Sequence, residues 1–302
     1  TGGLSALYYH DEMNLAQAEE EGCELLKRMG AASIEQARHM DAQKITDRLI
    51  HAKISDKAPY FPKTDGYVLP CGTITSILKG QQHKVEYLVG ATSEETGSMP
   101  GFLAQPSLEN VRKFAAVTFP EDVEGYLRSV DTSTPKALAE TVFNEYENDK
   151  LCAALAWQEL ERQRGGSAAY MYYYTKAVPN NGDHHYGAYH AAELPYIFQT
   201  LLRDDRPYNG SDFDFSNLLC EYWTNFVKTG NPNGKGLPKW NKPEHSCYEA
   251  MELGNHVGMV EVPTTKNREF VIHYMLAQAK KQAENAGLIR GNCTACDRKN
   301  QC

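Results

Sequence analysis

Two short runs dense in β-branched and aromatic side chains, "VEYLV" at 85–89 and "SAAYMYYYTKAV" at 167–178, stand on either side of a long stretch of helical pattern. Strands so far apart cannot form a hairpin. Strands separated by long helical stretches argue for an α/β architecture with at least part of a parallel sheet. Gly90 closes the first run and sets the expected end of that strand. In the second, alternation along the strand puts Tyr170, Tyr172 and Tyr174 on one face and Tyr173 on the other, so these rings are expected to pack a core. The chain is therefore α/β.

The rest of the pattern agrees. Asn14 suits an N-cap and Gly30 a stop for a first amphipathic helix, and "SIEQARHM" and "AQKITDRLIHA" suggest two more. "DKAPYFPKTDGYVLP" is an irregular connection. Residues 106–163 read as helices, interrupted near Pro120 and at "DTSTP". "FSNLLCEYWTNFVKTG" is a helix with Gly230 as its C-cap. One or two strands near 247–261 and a helix from Lys266 to Ala286 complete the chain. No internal repeat is visible.

Charge narrows the function. A formal net charge of −8, without a dense Lys/Arg run, gives no general attraction to nucleic acid or anionic lipid. No uninterrupted apolar stretch is long enough to span a bilayer. The first residues lack a secretory signal, yet the chain does not begin with Met, so its natural start is expected to lie elsewhere. Cytoplasmic and secreted locations both stay open.

In α/β folds, reactive groups sit on loops past the carboxyl ends of strands. Two loops qualify: "GATSEETGS" after the first strand and "GDHHYGAYHAAE" after the second. A metal could draw on Asp183, His184, His185, His190 and Glu193. However, adjacent histidines point oppositely along an extended chain, and no H-E-x-x-H spacing occurs. Solvated loop histidines are the better reading. The tail "GNCTACDRKNQC", with Cys293, Cys296 and Cys302, lacks the four ligands of a structural zinc site, and residues 287–302 are expected to be a flexible tail. Asn209-Gly-Ser211 and Asn292-Cys-Thr294 fit the glycosylation sequon, a pattern common by chance. Proton transfer fits better, because one loop offers carboxylates and the later loop a histidine, in the acid-then-histidine order of α/β-hydrolases. Spacing alone leaves this open against a structural role.

The residues themselves resemble a known family. "VGATSEETGS" is similar to the acid-bearing segment of type-B carboxylesterases and cholinesterases, and "GAYHAAELPYIF" to their catalytic-histidine segment. "YWTNFVKTGNPNGKGLPKW" and "TDGYVLP" resemble two further segments, in the same order. The resemblance implies an α/β-hydrolase fold, this chain being the C-terminal part of a mostly parallel sheet flanked by helices. Residues 1–302 would then be the C-terminal portion of one such domain.

By the same resemblance Glu95 is the triad acid and His190 the triad base. Glu94 and Glu193 are acidic neighbours supporting them from behind. Thr96 stands where the family usually has Gly, so the loop is expected to turn at Gly97. The larger departure is that no G-x-S-x-G nucleophile elbow and no HGGG-like loop occur in the 302 residues. The expected activity is hydrolysis of a small-molecule carboxylic ester, without metal or organic cofactor. Serine and oxyanion hole would come from an N-terminal part of the same enzyme, and this chain alone would be inactive. The alternative is a non-catalytic, cholinesterase-like adhesion or scaffold domain.

Overall fold

The structure is a computed structural model that describes residues 14–51, 63–95, 107–166, 168–180, 187–244 and 248–285. Asp183, His184, His185, Thr96, Gly97, the sequon at Asn292 and the cysteine-rich tail lie outside the described residues. The chain clusters into two compact units, residues 83–278 in one and, among the described residues, 14–82 with 279–285 in the other.

The smaller unit is helical. α1 (Leu15–Met29) opens on a capping box, in which the Asn14 side chain accepts from Gln17 N–H and the Gln17 side chain from Asn14 N–H. Gly30 ends it at φ 71°, the left-handed position that glycine adopts without strain. α2 (Ile34–Arg38) is capped by Ser33, and α3 (Ala42–His51) packs on α1. In "TDGYVLP" the Asp65 carboxylate accepts from Tyr67 and Leu69 N–H, both at 2.9 Å, and folds the segment into a turn. α4 (Thr73–Leu78) follows, a helix too short for periodicity to announce.

The larger unit holds the sheet. Among the described residues it has four strands in the order β1 (Leu88–Thr92), β2 (Tyr170–Tyr174), β3 (Glu249–Leu253), β4 (Val257–Glu261). β1 and β2, and β2 and β3, pair in parallel; β3 and β4 form an antiparallel hairpin. The sheet is mostly parallel, as expected. The first strand is displaced from its expected bounds, however, because Gly90 lies in its middle. A Cβ there would sit 2.2 Å from the Tyr172 carbonyl oxygen and 2.5 Å from its ring Cγ. Glycine at 90 leaves room for the Tyr172 side chain to lean across from the neighbouring strand.

The helices between β1 and β2 are α5 (Leu108–Thr118), α6 (Val123–Ser129) and α7 (Pro135–Gln163), broken where the sequence indicates. Residues 151–158 of α7 are buried all round and pack on β1. The tyrosines of β2 alternate as expected. Tyr170, Tyr172 and Tyr174 enter one core with Phe215, Leu219 and Tyr222 of α9 (Gly210–Thr229) and with Trp240, whose indole N–H donates to Met171 O at 2.9 Å. A second aromatic cluster joins Phe119 and Tyr126 to Phe270 and Tyr274 of α10 (Lys266–Asn285). No described helix is long and apolar enough to cross a membrane.

Candidate active site

β1 ends at Thr92, and its pairing does not stop there. Ser93 N–H donates to Tyr174 O at 2.8 Å, and Glu94 N–H to Ala188 O at 3.1 Å, making an isolated parallel bridge between Glu94 and Tyr189. On the other side, Val178 N–H donates to Gly187 O at 3.1 Å and closes the chain that follows β2. The two loops singled out from sequence are thus stitched together by backbone at the carboxyl ends of adjacent parallel strands. This topology brings an acid and a histidine 95 positions apart into contact.

Glu95 and His190 meet here. Glu95 is buried, its side chain 2% exposed, and its Oε1 accepts from Thr92 N–H at 2.8 Å. Its Oε2 lies 2.5 Å from His190 Nδ1. Against a carboxylate, Nδ1 must be the donor, which leaves the lone pair of a neutral ring on Nε2. The His190 side chain is 66% exposed. Among the described residues no hydroxyl or thiol is hydrogen-bonded to the ring. The arrangement is a proton acceptor whose inner nitrogen is fixed and whose outer nitrogen is open.

Glu94 and Glu193 stand around this pair in different ways. The Glu94 carboxylate turns away from the ring and accepts from Ala188 N–H at 3.1 Å. Glu193 is buried and its Oε2 has no hydrogen-bond partner. Burial, with the nearby charge of Glu95 adding to it, pushes the Glu193 carboxyl above its ordinary range despite the opposing pull of its own N–H and of His190. Burial likewise drives the Tyr172 phenol far up, with the charges of Glu193 and Glu95 reinforcing the effect.

The segment after His190 is held firmly. Ala191 takes φ 68°, a left-handed conformation uncommon for a residue with a Cβ. Then comes α8 (Leu194–Ile197), whose Tyr196 hydroxyl donates to Asp212 Oδ1 at 3.0 Å and whose Tyr196 carbonyl accepts from Ser216 Oγ at 2.6 Å. Asp212 also takes Lys176 Nζ at 3.1 Å and Asn209 N–H at 3.0 Å. Burial pushes the Asp212 carboxyl up, but these donors outweigh it and hold the group below its ordinary range.

Sequence reading did not single out Asp212 or Gly187 as supports of the site. A signal existed for the first, since Asn209 and Asp212 form a readable capping box at the start of α9. Among the described residues no group of three or more histidine, cysteine, aspartate or glutamate side chains could hold a metal ion.

The carboxylesterase family model matches residues 10–271. The chain is similar to carboxylesterase 1F of Mus musculus, 27% identical over 247 residues that make up 73% of this chain and 42% of that protein. Carboxylesterase 4A of Bos taurus is 26% identical over 66% of this chain and 39% of its own length. The chain thus spans less than half the length of these curated relatives. Among solved structures, EstA of Aspergillus niger superposes with a TM-score of 0.65 at 18% identity, covering 93% of this chain and 58% of that one. A PNB esterase gives 0.64 at 20% identity, over 86% and 55%. These structures share the α/β-hydrolase fold with this chain.

Proposed function

This chain belongs to the carboxylesterase family, and on that premise we propose that it supplies the acid and the base of an ester-hydrolysing Ser-His-Glu triad. The serine and the oxyanion donors come from a segment outside these 302 residues, which form the C-terminal portion of a single α/β-hydrolase domain. In this reading the serine hydroxyl attacks the ester carbonyl while His190 Nε2 takes its proton. His190 then returns that proton to the leaving alcohol, and water releases the acyl group by the same route in reverse roles. Glu95 holds the Nδ1–H, fixes the tautomer and stabilises the imidazolium. Backbone donors from the other segment bind the oxyanion, each contributing about 3–4 kcal/mol.

One observation carries this reading: a 2.5 Å hydrogen bond from an exposed ring to a carboxylate sealed from water, across 95 positions of sequence. An adhesion or scaffold role would use the surface and would not call for an ionisable side chain buried behind an open imidazole.

The test is the chain as it stands. Purified, it should neither hydrolyse p-nitrophenyl esters nor take up a fluorophosphonate probe. Labelling of any serine beside His190 would overturn the assignment of the nucleophile to another segment.

A further inference from the structure

We propose that Glu94 is the positioning residue of the Glu95–His190 pair, its carboxylate clasping the histidine loop to the β1 loop through the bare Cα of Gly187. The inference rests on reading that pair as the working acid and base. Glu94 Oε1 accepts the Ala188 N–H at 3.1 Å, while Glu94 N–H donates to Ala188 O at the same distance. One residue of the first loop therefore satisfies both backbone groups of a fully buried residue in the second. That residue lies two positions before the imidazole.

Gly187 makes the clasp possible. It is buried and adopts φ 58°. A Cβ added there would fall 1.9 Å from Glu94 Oε2, 2.2 Å from Cδ and 2.3 Å from Oε1. The whole carboxylate thus lies flat against the space where any other residue would carry a side chain. Left-handed backbone alone would explain a glycine; the glutamate filling the vacant space is a separate demand on the same position.

Consequences follow for the ring. The backbone bond from Glu94 to Ala188 O survives loss of the Glu94 side chain, so the strands stay paired. The Ala188 N–H, however, is left buried without an acceptor, and the loop must shift to satisfy it. A hydrogen bond of 2.5 Å between Nδ1 and Oε2 tolerates little displacement. Glu94 does not touch the ring and acts only through where it puts it.

The experiment is low-temperature proton NMR of the 302-residue chain with nitrogen-15 histidine. The Nδ1–H of His190 should resonate well downfield of the amide envelope and vanish in His190→Ala. Glu94→Gln, which keeps an acceptor oxygen at the same reach, should retain the signal. Glu94→Ala and Glu94→Asp should weaken it or shift it upfield while methyl dispersion stays native, the aspartate keeping the charge but falling a methylene short. A wild-type signal in Glu94→Asp, or its loss in a folded Glu94→Gln, overturns the clasp alone. Absence of the signal in the folded wild-type chain overturns the underlying reading of the pair.

Discussion

The molecule pairs a histidine with a glutamate at two places on the same sheet, and the two differ in almost every physical respect. His190 reaches Glu95 across 95 positions at 2.5 Å, and the carboxylate is 2% exposed. His256 reaches Glu252 across four positions at 3.1 Å, within the β3–β4 hairpin, and that carboxylate is 26% exposed and also accepts from Thr175 Oγ1 at 2.9 Å. Both rings are similarly exposed, at 66% and 61%. The rings are alike; the carboxylates are not. A local pair made by a turn gains little, because water competes for both partners. A pair assembled by parallel strands has its acid sealed away, so the ring is the one route by which that charge meets solvent.

The sharpest way to break this contrast is to remove each ring in turn. In a longer protein that joins this chain to a nucleophile-bearing segment, His190→Ala should lower kcat by roughly 10⁶-fold, the scale of losing the histidine of a triad, with a residual roughly 10³–10⁴ over water left to the oxyanion donors and binding. His256→Ala should change kcat by less than about twofold, as surface substitutions away from special features usually do. Equal losses would erase the distinction. A His190→Ala enzyme at full rate would reverse it.

Burial around the first pair supplies a second test, smaller in size and read by pH. Glu193 has an unpaired, buried Oε2, and its folded-state carboxyl is pushed above the ordinary range chiefly by desolvation. A carboxyl with a raised folded pKa contributes its stabilisation fully below the unfolded value of about 4.3 and loses it as pH rises through the folded value. Glu193→Gln carries no charge to desolvate. Its Tm should match wild type near about pH 4 and exceed it increasingly toward neutrality. The groups facing Glu193 are Glu95, His190 and Tyr172, and of these His190 opposes the shift. Glu252→Gln is the control, and melting curves of both variants across that range decide the matter. A flat difference for Glu193→Gln would mean that its carboxyl finds solvent after all.

Much of this contrast was visible in the residues before the fold, and the part that was not has a common cause. Helix ends announced themselves where one residue carries the signal: Asn14 and Gly30 bound α1, and Gly230 ends α9 at φ 74°. The tyrosines of β2 declared their faces because alternation is local. Gly90 misled because its meaning lies in Tyr172, on another strand. Gly187 gave no hint of its role because the carboxylate filling its space comes from Glu94, on the other loop. α4 and α8 span six and four residues, too few for a helical period to show. Motif resemblance named Glu95 and His190 and included Tyr196 without giving it a role, but said nothing of Lys176 and Asp212, which with Tyr196 tie the next helix in place through side chains from separate elements.

The smallest expected effect lies at Ala191, directly after the ring, where no counterpart exists in the His256 hairpin. A left-handed backbone costs an L-residue roughly 1–2 kcal/mol, and glycine escapes that cost. Glycine also loses more conformational freedom on folding, by about 0.5–1 kcal/mol relative to alanine. The balance favours Ala191→Gly by a few tenths to about 1 kcal/mol, read as a small rise in the denaturation midpoint with an unchanged m-value. The strain is maintained because Ala192 N–H bonds back to Tyr189 O at 2.9 Å and the segment beyond is anchored through Tyr196. If stability falls instead, the φ of 68° is not a strained state held by its surroundings, and the sequence after His190 adopts it by preference. The firmness that separates the first pair from the second would then be local in origin, as it is in the hairpin.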